Sequence, residues 1–122
     1  MKATESNIVD IVNIINESVK KYSGSLSYLA TGGLKDSMTL EYEFVEFSNK
    51  PSRADLTVKK GDVITARMKE TKKVLEITEE TQNIIVSTGF LVLRPTQQIN
   101  SRYLYHYLKS NYFQFSKDNL CT

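Results

Sequence analysis

The sequence predicts an α+β domain with an N-terminal helix, a mixed or antiparallel twisted β-sheet and a C-terminal helix rich in aromatic residues. Near both ends of the chain, apolar residues recur at steps of three and four, as they do on one face of a helix. Between these segments, short runs either alternate apolar and polar residues or are rich in β-branched residues. The 122 residues suffice for one hydrophobic core but not two, which predicts a single domain over 1–122.

The N-terminal helix is predicted from its apolar positions, which leave the other face to charged and amide side chains. These positions are Ile8, Ile11, Val12, Ile15 and Val19. Turn residues at 23–25 end the helix, and a short strand over 26–30 follows. That strand leads into Gly32 and Gly33, a pair that permits a turn with positive φ.

The middle of the chain is predicted to hold several short strands. From 39 to 44 the even-numbered residues, ending at Phe44, are apolar, which predicts a strand with these side chains buried. Pro51 interrupts strand pairing, so residues 48–56 are predicted to be a loop. Further strands are predicted over 63–67, after a turn at Gly61, and over 74–77.

The most apolar segment, 84–93, is predicted to be a central strand buried on both faces. Gly89 within it indicates a bulge or a close approach to the backbone. After Pro95, a second helix is predicted to begin at Asn100 or Ser101. Its apolar and aromatic positions are Tyr103, Leu104, Tyr107, Leu108, Tyr112 and Phe115.

Half of the aromatic residues of the chain lie between 103 and 115. Core packing is the favoured interpretation, because Leu104, Leu108 and Phe115 share one side of the predicted helix. A stacking platform for unpaired bases is the alternative.

Charge is distributed unevenly along the chain, although the net charge is only +2. The stretch 50–73 carries eight basic and three acidic residues, whereas 36–46 carries four acidic residues and no basic ones. Such polarity is typical of a protein with one DNA-facing surface and one solvated or partner-facing surface, and a scattered charged surface is the alternative.

The residue types of common catalytic and metal sites are scarce. One histidine and one cysteine, Cys121, are too few for a His/Cys metal site or an intramolecular disulfide, and no cofactor is predicted. His106 has no paired nucleophile, and segment 31–37 lacks the spacing of a phosphate-binding loop. The chain is therefore predicted not to be an enzyme. Without a signal peptide or an apolar span, it is expected to be cytoplasmic and to make no membrane contact.

A basic loop is the strongest candidate for binding. If 63–67 and 74–77 pair as strands, Lys69, Lys72 and Lys73 lie on the loop between them, with Arg67 at its base. Several cations on one loop neutralise several phosphates, and an arginine can pair with guanine in the major groove. A solubilising hairpin tip is the alternative, which composition alone favours.

Several short blocks and their order resemble a known family. The blocks are 28–34, Pro51 to Ala54, Gly61 to Ile64, Arg67, Ser87 to Phe90, Arg94-Pro95, and the helical residues 103–105 and 108–110. Over residues 26–115 their spacing resembles the target-recognition domain of the specificity subunit of type I restriction-modification systems. No single block is specific to this family.

The resemblance implies a domain that recognises one half of a split double-stranded DNA target. Methyltransferase (modification) and restriction subunits would be its partners and would supply the chemistry and S-adenosylmethionine. The side chains expected to contact DNA are Arg53, Arg67, Lys69, Lys72 and Lys73. Those expected to shape the fold are Pro51, Gly61, Gly89 and Phe90.

The chain also departs from the family pattern. It has one such domain, lacks the long helices that dock partner subunits, and has Met68 where many relatives have proline. It ends at 119–122 without a closing element, so an incomplete domain is expected. The alternative function is a truncated protein-interaction module, or a self-associating remnant, without DNA binding of its own.

Overall fold

The computed structural model describes residues 12–35, 39–67, 73–96 and 100–109. In these ranges the chain forms ten strands, a 3-10 turn at Thr31–Gly33 and one α-helix. The strands are β1 (Val12–Ile15), β2 (Ser25–Leu29), β3 (Leu34–Lys35), β4 (Thr39–Leu40), β5 (Glu43–Glu46), β6 (Ala54–Thr57), β7 (Val63–Ala66), β8 (Val74–Glu76), β9 (Ile84–Ser87) and β10 (Phe90–Pro95), and the helix is α1 (Ser101–Leu108). The described part of the chain therefore mixes α and β structure, with mostly strands and one helix near the C-terminus.

The strands form two four-stranded sheets instead of the single sheet predicted. The first sheet has the order β1-β10-β7-β8 and is antiparallel throughout. The second has the order β5-β2-β9-β6 and is mixed, because β2 runs parallel to β9. A small hairpin, β3-β4, lies beside them. Residues 17–19 then bond to β6, so the segment after β1 links the two sheets along one side.

Apolar side chains form three layers. The main core lies between the sheets and includes Leu29, Ile64, Val86, Phe90 and Val92, all of them almost completely buried. A second layer lies under α1, where Leu104 and Leu108 cover Val63, Val74 and Leu93 of the first sheet. A third lies on the outer face of the second sheet, where Val19 and Tyr22 pack against Tyr28, Val45, Ala54 and Ile85.

Several sequence predictions are confirmed. Strands occur where 26–30, 63–67 and 74–77 predict them, as β2, β7 and β8. The helix begins after Asn100, whose side-chain oxygen accepts from the Tyr103 amide at 2.7 Å. This bond satisfies an amide that has no partner within the helix. The buried positions of α1 favour core packing there, whereas Tyr112 and Phe115 lie outside the described residues.

The predicted N-terminal helix is wrong over the residues that the structure describes. Residues Val12–Ile15 form β1, which pairs with β10 from Val12 opposite Pro95 to Ile15 opposite Val92. Residues three apart lie on opposite faces of a strand: Val12 packs in the layer under α1, and Ile15 packs between the sheets. Because both faces of β1 meet apolar neighbours, the three-residue spacing of its apolar side chains fits a strand as well as a helix. Residues 1–11 lie outside the described ranges.

Two predictions in the middle of the chain are also wrong. The strand predicted over 39–44 is divided into β4 and β5, and Phe44 is 77% exposed while its neighbour Val45 is buried. The alternation of buried and exposed side chains shifts by one residue between β4 and β5. The short apolar pattern over 39–44 gives no sign of this shift. The loop predicted over 48–56 ends early, because β6 begins at Ala54, three residues after Pro51.

The apolar run 84–93 is two strands of different sheets, not one central strand. β9 belongs to the second sheet and β10 to the first, and the chain crosses between them at Thr88 and Gly89. Each strand has a neighbour on both sides, so the expectation of central, buried strands holds for both halves. The crossing creates a corner at one end of the paired sheets.

A buried ion pair ties the turn before β7 to the end of β10. Arg94 Nε and Nη2 donate to the two carboxylate oxygens of Asp62 at 2.8 and 2.9 Å. Asp62 is 1% exposed and also accepts from the Lys59 amide at 2.9 Å, in a turn that Gly61 closes with φ +95°. The hydrogen bonds to Asp62 raise the pKa of Arg94 above its ordinary value, so this arginine stays charged. The family-like block Gly61 to Ile64 is therefore in contact with the family-like block Arg94-Pro95.

Glu76 at the end of β8 fixes the start of α1. Its carboxylate accepts from Ser101 Oγ and from Arg102 Nη1, both at 2.7 Å. Burial alone would raise the pKa of Glu76, but the hydrogen bonds from Arg102 and Ser101 outweigh it and hold the pKa below its ordinary value of 4.5. The folded state therefore favours the ionised carboxylate.

We expect Glu76→Gln to lower the free energy of unfolding by about 1 kcal/mol near neutral pH. A lowered pKa in the folded state contributes stability that is complete above about pH 4.5 and is lost as the pH falls through the folded value. The difference between the variant and the parent chain should therefore shrink on acidification, as measured by urea unfolding at several pH values. The exposed Glu79, paired with Lys60, provides the control Glu79→Gln. A Glu76→Gln deficit that stayed constant into the acid range would contradict this expectation.

Candidate nucleic-acid interface

Four segments of the chain meet where β9 crosses to β10. At this crossing the Thr88 amide donates to the Arg53 carbonyl at 2.9 Å, and the Arg67 amide donates to the Gly89 carbonyl at 3.0 Å. The fourth segment is the turn at Thr31, after β2. We call this place the Gly89 corner and define it by Thr31, Arg53, Arg67, Lys73 and Gly89. The two backbone bonds fix Arg53 and Arg67 on either side of the crossing.

A Cβ atom on Gly89 would meet the tips of two neighbouring side chains, which would have to move. A Cβ atom there would lie 2.9 Å from Arg53 Nη2 and 2.9 Å from Thr31 Cγ2. The Arg53 guanidinium and the Thr31 methyl group therefore lie directly against the Gly89 backbone. The close approach that the sequence indicated at this glycine is confirmed, and its φ is not positive.

The Thr31 turn differs from the expectation. Residues Thr31–Gly33 form a 3-10 turn, and Gly32 and Gly33 do not adopt the positive φ that glycine permits; in the described ranges the glycines with positive φ are Gly24 and Gly61. A Cβ on Gly33 would collide with the Glu41 carbonyl, which explains a glycine at this position without positive φ. Thr31 itself was absent from the predicted contacts, although the family-like block at 28–34 contains it.

Lys73 is turned back towards the Thr31 turn. Its Nζ donates to the Thr31 carbonyl at 2.9 Å in a half-buried position, and its own carbonyl accepts from the Ala66 amide at 3.0 Å. Lys73 therefore joins the end of the β7–β8 loop to a turn of the other sheet. Its position differs from the projecting loop tip that the sequence suggested.

The cations of the basic stretch differ in their partners. Lys50 pairs with Asp55 at 3.8 Å, and Lys60 pairs with Glu79 at 2.9 Å. Arg53 is exposed and forms no ion pair with a carboxylate of the described residues. Arg53 at the Gly89 corner thus differs from Lys50 and Lys60, whose charges are each offset by a carboxylate.

The structure brings together the three predicted contact residues that it describes. Arg53, Arg67 and Lys73 come from separate places in the sequence and meet at the Gly89 corner. The other two, Lys69 and Lys72, lie outside the described residues. The arrangement can present cationic groups to an anionic backbone and one arginine fork to a base edge.

Other features of the described residues bear on alternative functions. His106 is exposed near the end of α1, where its ring meets Tyr105 edge-on at 5.3 Å. Across the four described ranges, no group of three His, Cys, Asp or Glu side chains is placed to hold a metal ion. In the same part of the chain, no helix combines the length and the apolar content of a membrane span.

Two solved structures share this fold. One is the HsdS subunit from Thermoanaerobacter tengcongensis, with a TM-score of 0.66 and 22% sequence identity, covering 74% of this chain and 24% of that chain. The other comes from work on complex assembly and conformational transition of the type I R-M system, with a TM-score of 0.65 and 19% identity, covering 83% of this chain and 30% of that chain. The present chain thus spans about a quarter to a third of their lengths. No protein-family model and no curated protein matches the sequence.

Proposed function

We propose that this chain binds double-stranded DNA and reads part of a target sequence, as a specificity subunit of a type I restriction-modification complex or a part of one. The observation that carries the proposal is the convergence of Arg53, Arg67 and Lys73 on the Gly89 corner. A fold shared with HsdS subunits supports it.

The chemistry of the corner suits duplex DNA. Cations that neutralise phosphates release condensed counterions, which supplies affinity without sequence preference. Sequence is read by side chains that reach base edges, and an arginine fork pairs well with the O6 and N7 atoms of guanine. Arg53 presents such a fork, held against Gly89 and without a carboxylate partner among the described residues.

In this proposal the chain is a non-catalytic recognition subunit. Methyltransferase and restriction subunits carry out the reactions, with S-adenosylmethionine bound by the methyltransferase, and the present chain directs them to the target. A structural neighbour described in terms of type I R-M complex assembly supports the assignment of such partners.

A second candidate function is protein interaction or self-association without DNA binding. Two edge strands favour it: β1 at the edge of the first sheet carries Ile14, 57% exposed, and β5 at the edge of the second carries Phe44, 77% exposed. Edge strands with exposed apolar side chains are sites where another chain can pair. Light scattering of the chain and of Phe44→Ser tests this function, because only an interaction through β5 would make the apparent mass fall in the variant.

Selection against random DNA duplexes tests the first proposal. The folded chain is mixed with the pool at low and at near-physiological salt, and the bound duplexes are sequenced. We expect a short motif to be enriched at the higher salt, because base contacts persist when phosphate contacts weaken. Binding without enrichment that vanishes as salt rises would leave only a basic surface. No binding by a folded chain would favour the interaction module.

A further inference from the structure

We infer that Lys73 is a positioning residue that contacts no phosphate: it holds the Thr31 turn against Gly89, and this fixes the Arg53 guanidinium that reads a base edge. The inference rests on the proposed DNA recognition and assigns different tasks to two residues of the same corner. Arg53 contacts the DNA, and Lys73 acts through Thr31.

A hydrogen bond joins Lys73 to the Thr31 turn. Lys73 Nζ donates to the Thr31 carbonyl at 2.9 Å, across 42 positions of sequence and between the two sheets. The ammonium group is half-buried, and one of its three donors is taken by a carbonyl. Arg53 and Arg67, in contrast, are exposed. At this corner the arginines are therefore better placed than Lys73 to meet a phosphate or a base.

The Thr31 turn is held by three local bonds, from the Gly33 amide to the Ala30 carbonyl at 2.9 Å, from the Leu34 amide to the Thr31 carbonyl, and from the Glu41 amide to the Gly33 carbonyl at 2.8 Å. The pairing of β2 with β9 holds the chain beside the crossing as far as Leu29, opposite Val86. Beyond Leu29, the Lys73 ammonium ties the Thr31 carbonyl to the end of β7, because the Ala66 amide fixes the Lys73 backbone there.

Thr31 and Arg53 both lie close to Gly89. Thr31 Cγ2 and Arg53 Nη2 lie equally close, 2.9 Å, to the position that a Cβ of Gly89 would occupy. The Thr31 methyl and the Arg53 guanidinium therefore lie against the same face of Gly89. A planar fork that is held in place loses less freedom when it pairs with a base, which favours discrimination. If Thr31 moved away, Arg53 would keep its charge but lose a neighbour that limits where its guanidinium can lie.

The test compares Lys73→Met with Lys59→Met. Methionine keeps much of the lysine stem and removes the ammonium, and Lys59 is an exposed lysine of the same basic stretch, so both variants lose one positive charge. Three quantities are measured: amide hydrogen exchange over residues 28–33 in the free protein, the dependence of DNA affinity on salt, and the base preference found by selection. Lys73→Arg, which restores a charged donor, is the rescue variant.

For Lys73→Met we expect exchange over 28–33 to quicken about tenfold, as for the loss of one hydrogen bond from a charged donor. We expect base preference at one position to fall about tenfold, as for a disturbed arginine–guanine pair. The salt slope, which is the steepness with which the logarithm of the binding constant falls with the logarithm of the salt concentration, should stay as in the parent chain. A lost phosphate contact would lower this steepness by about 0.9. Lys59→Met should leave exchange and preference unchanged, and Lys73→Arg should restore both.

The possible contrary results are distinct. A salt slope reduced by about one in Lys73→Met, but not in Lys59→Met, would make Lys73 a phosphate contact and overturn the inference. Unchanged exchange over 28–33 would show that Lys73 does not hold the turn. If Lys73→Met failed to fold, exchange and base preference in Lys73→Gln, which keeps a neutral donor, would decide. A parent chain that bound no duplex would contradict the proposed function itself, and the exchange result would still report on the turn.

Discussion

Arg94→Met is expected to lower the free energy of unfolding by about 3 kcal/mol, the lower end of the range found when one partner of a buried ion pair is removed, because the Arg94 side chain is 26% exposed. The variant leaves the carboxylate of Asp62 buried, at 1% exposure, with the Lys59 amide as its remaining described donor. Glu17 makes only a long contact of 3.8 Å to Arg94 and is half-exposed, so its loss adds little. Urea unfolding followed by circular dichroism measures the effect.

Arg102→Met is the matched control. Arg102 also pairs with a carboxylate, Glu76, at 2.7 Å, but its side chain is 63% exposed, and such pairs contribute about 1 kcal/mol or less. The double variant Asp62→Leu/Arg94→Met should recover part of the loss, because it leaves no buried charge behind. If Arg94→Met and Arg102→Met destabilised the chain equally, the Asp62 pair would not be the connection between β7 and β10 that its geometry indicates.

The sequence predicts best those elements that are determined locally. The strand β7 follows a glycine turn, and α1 has its cap at Asn100 and its buried leucines four residues apart. These signals lie within a few residues of each other, so no knowledge of distant pairing is needed. Arg53 and Arg67, two of the predicted contact residues, lie in the family-like blocks and meet at one corner.

The sequence predicts worst those elements that depend on distant partners. β1 is a strand because β10, about eighty positions later, supplies its hydrogen bonds and both of its faces meet apolar layers. The run 84–93 contains no sign that its halves belong to different sheets, since both are equally apolar. The direction of the Lys73 side chain depends on the Thr31 carbonyl, 42 positions away, and a charge pattern carries no such information.

The family-like blocks contain two kinds of residue: some contact each other inside the protein, and others have exposed side chains. Asp62 and Arg94 contact each other inside the protein and are therefore assigned to stability. Arg53 and Arg67 are anchored through their backbones at the Gly89 corner while their side chains are exposed. Two arginines of the family-like blocks thus have different expected roles: loss of Arg94 lowers stability, and loss of Arg53 lowers DNA binding.

The double variant Arg53→Ala/Arg67→Ala is expected to bind the selected duplex about 100-fold more weakly, because two arginine contacts to phosphate or guanine are removed. Its unfolding free energy should change little, since both side chains are exposed and the backbone bonds of Arg53 and Arg67 at the crossing are kept in the variant. Fluorescence anisotropy with a labelled duplex, titrated at several salt concentrations, measures the affinity and its salt slope.

A control that removes two charges elsewhere decides whether position matters. Lys60→Ala/Arg102→Ala lowers the net charge by the same amount, and both of these side chains are exposed and paired with glutamates away from the corner. Long-range attraction depends on the sum of charges, so it would weaken binding equally in the two double variants. Direct contact depends on position, so it would weaken the corner variant far more and would change its base preference. Equal losses of DNA affinity in the two double variants would mean that the Gly89 corner contributes only through the overall charge of the protein. A larger loss in the corner variant would identify the corner as the surface that contacts DNA.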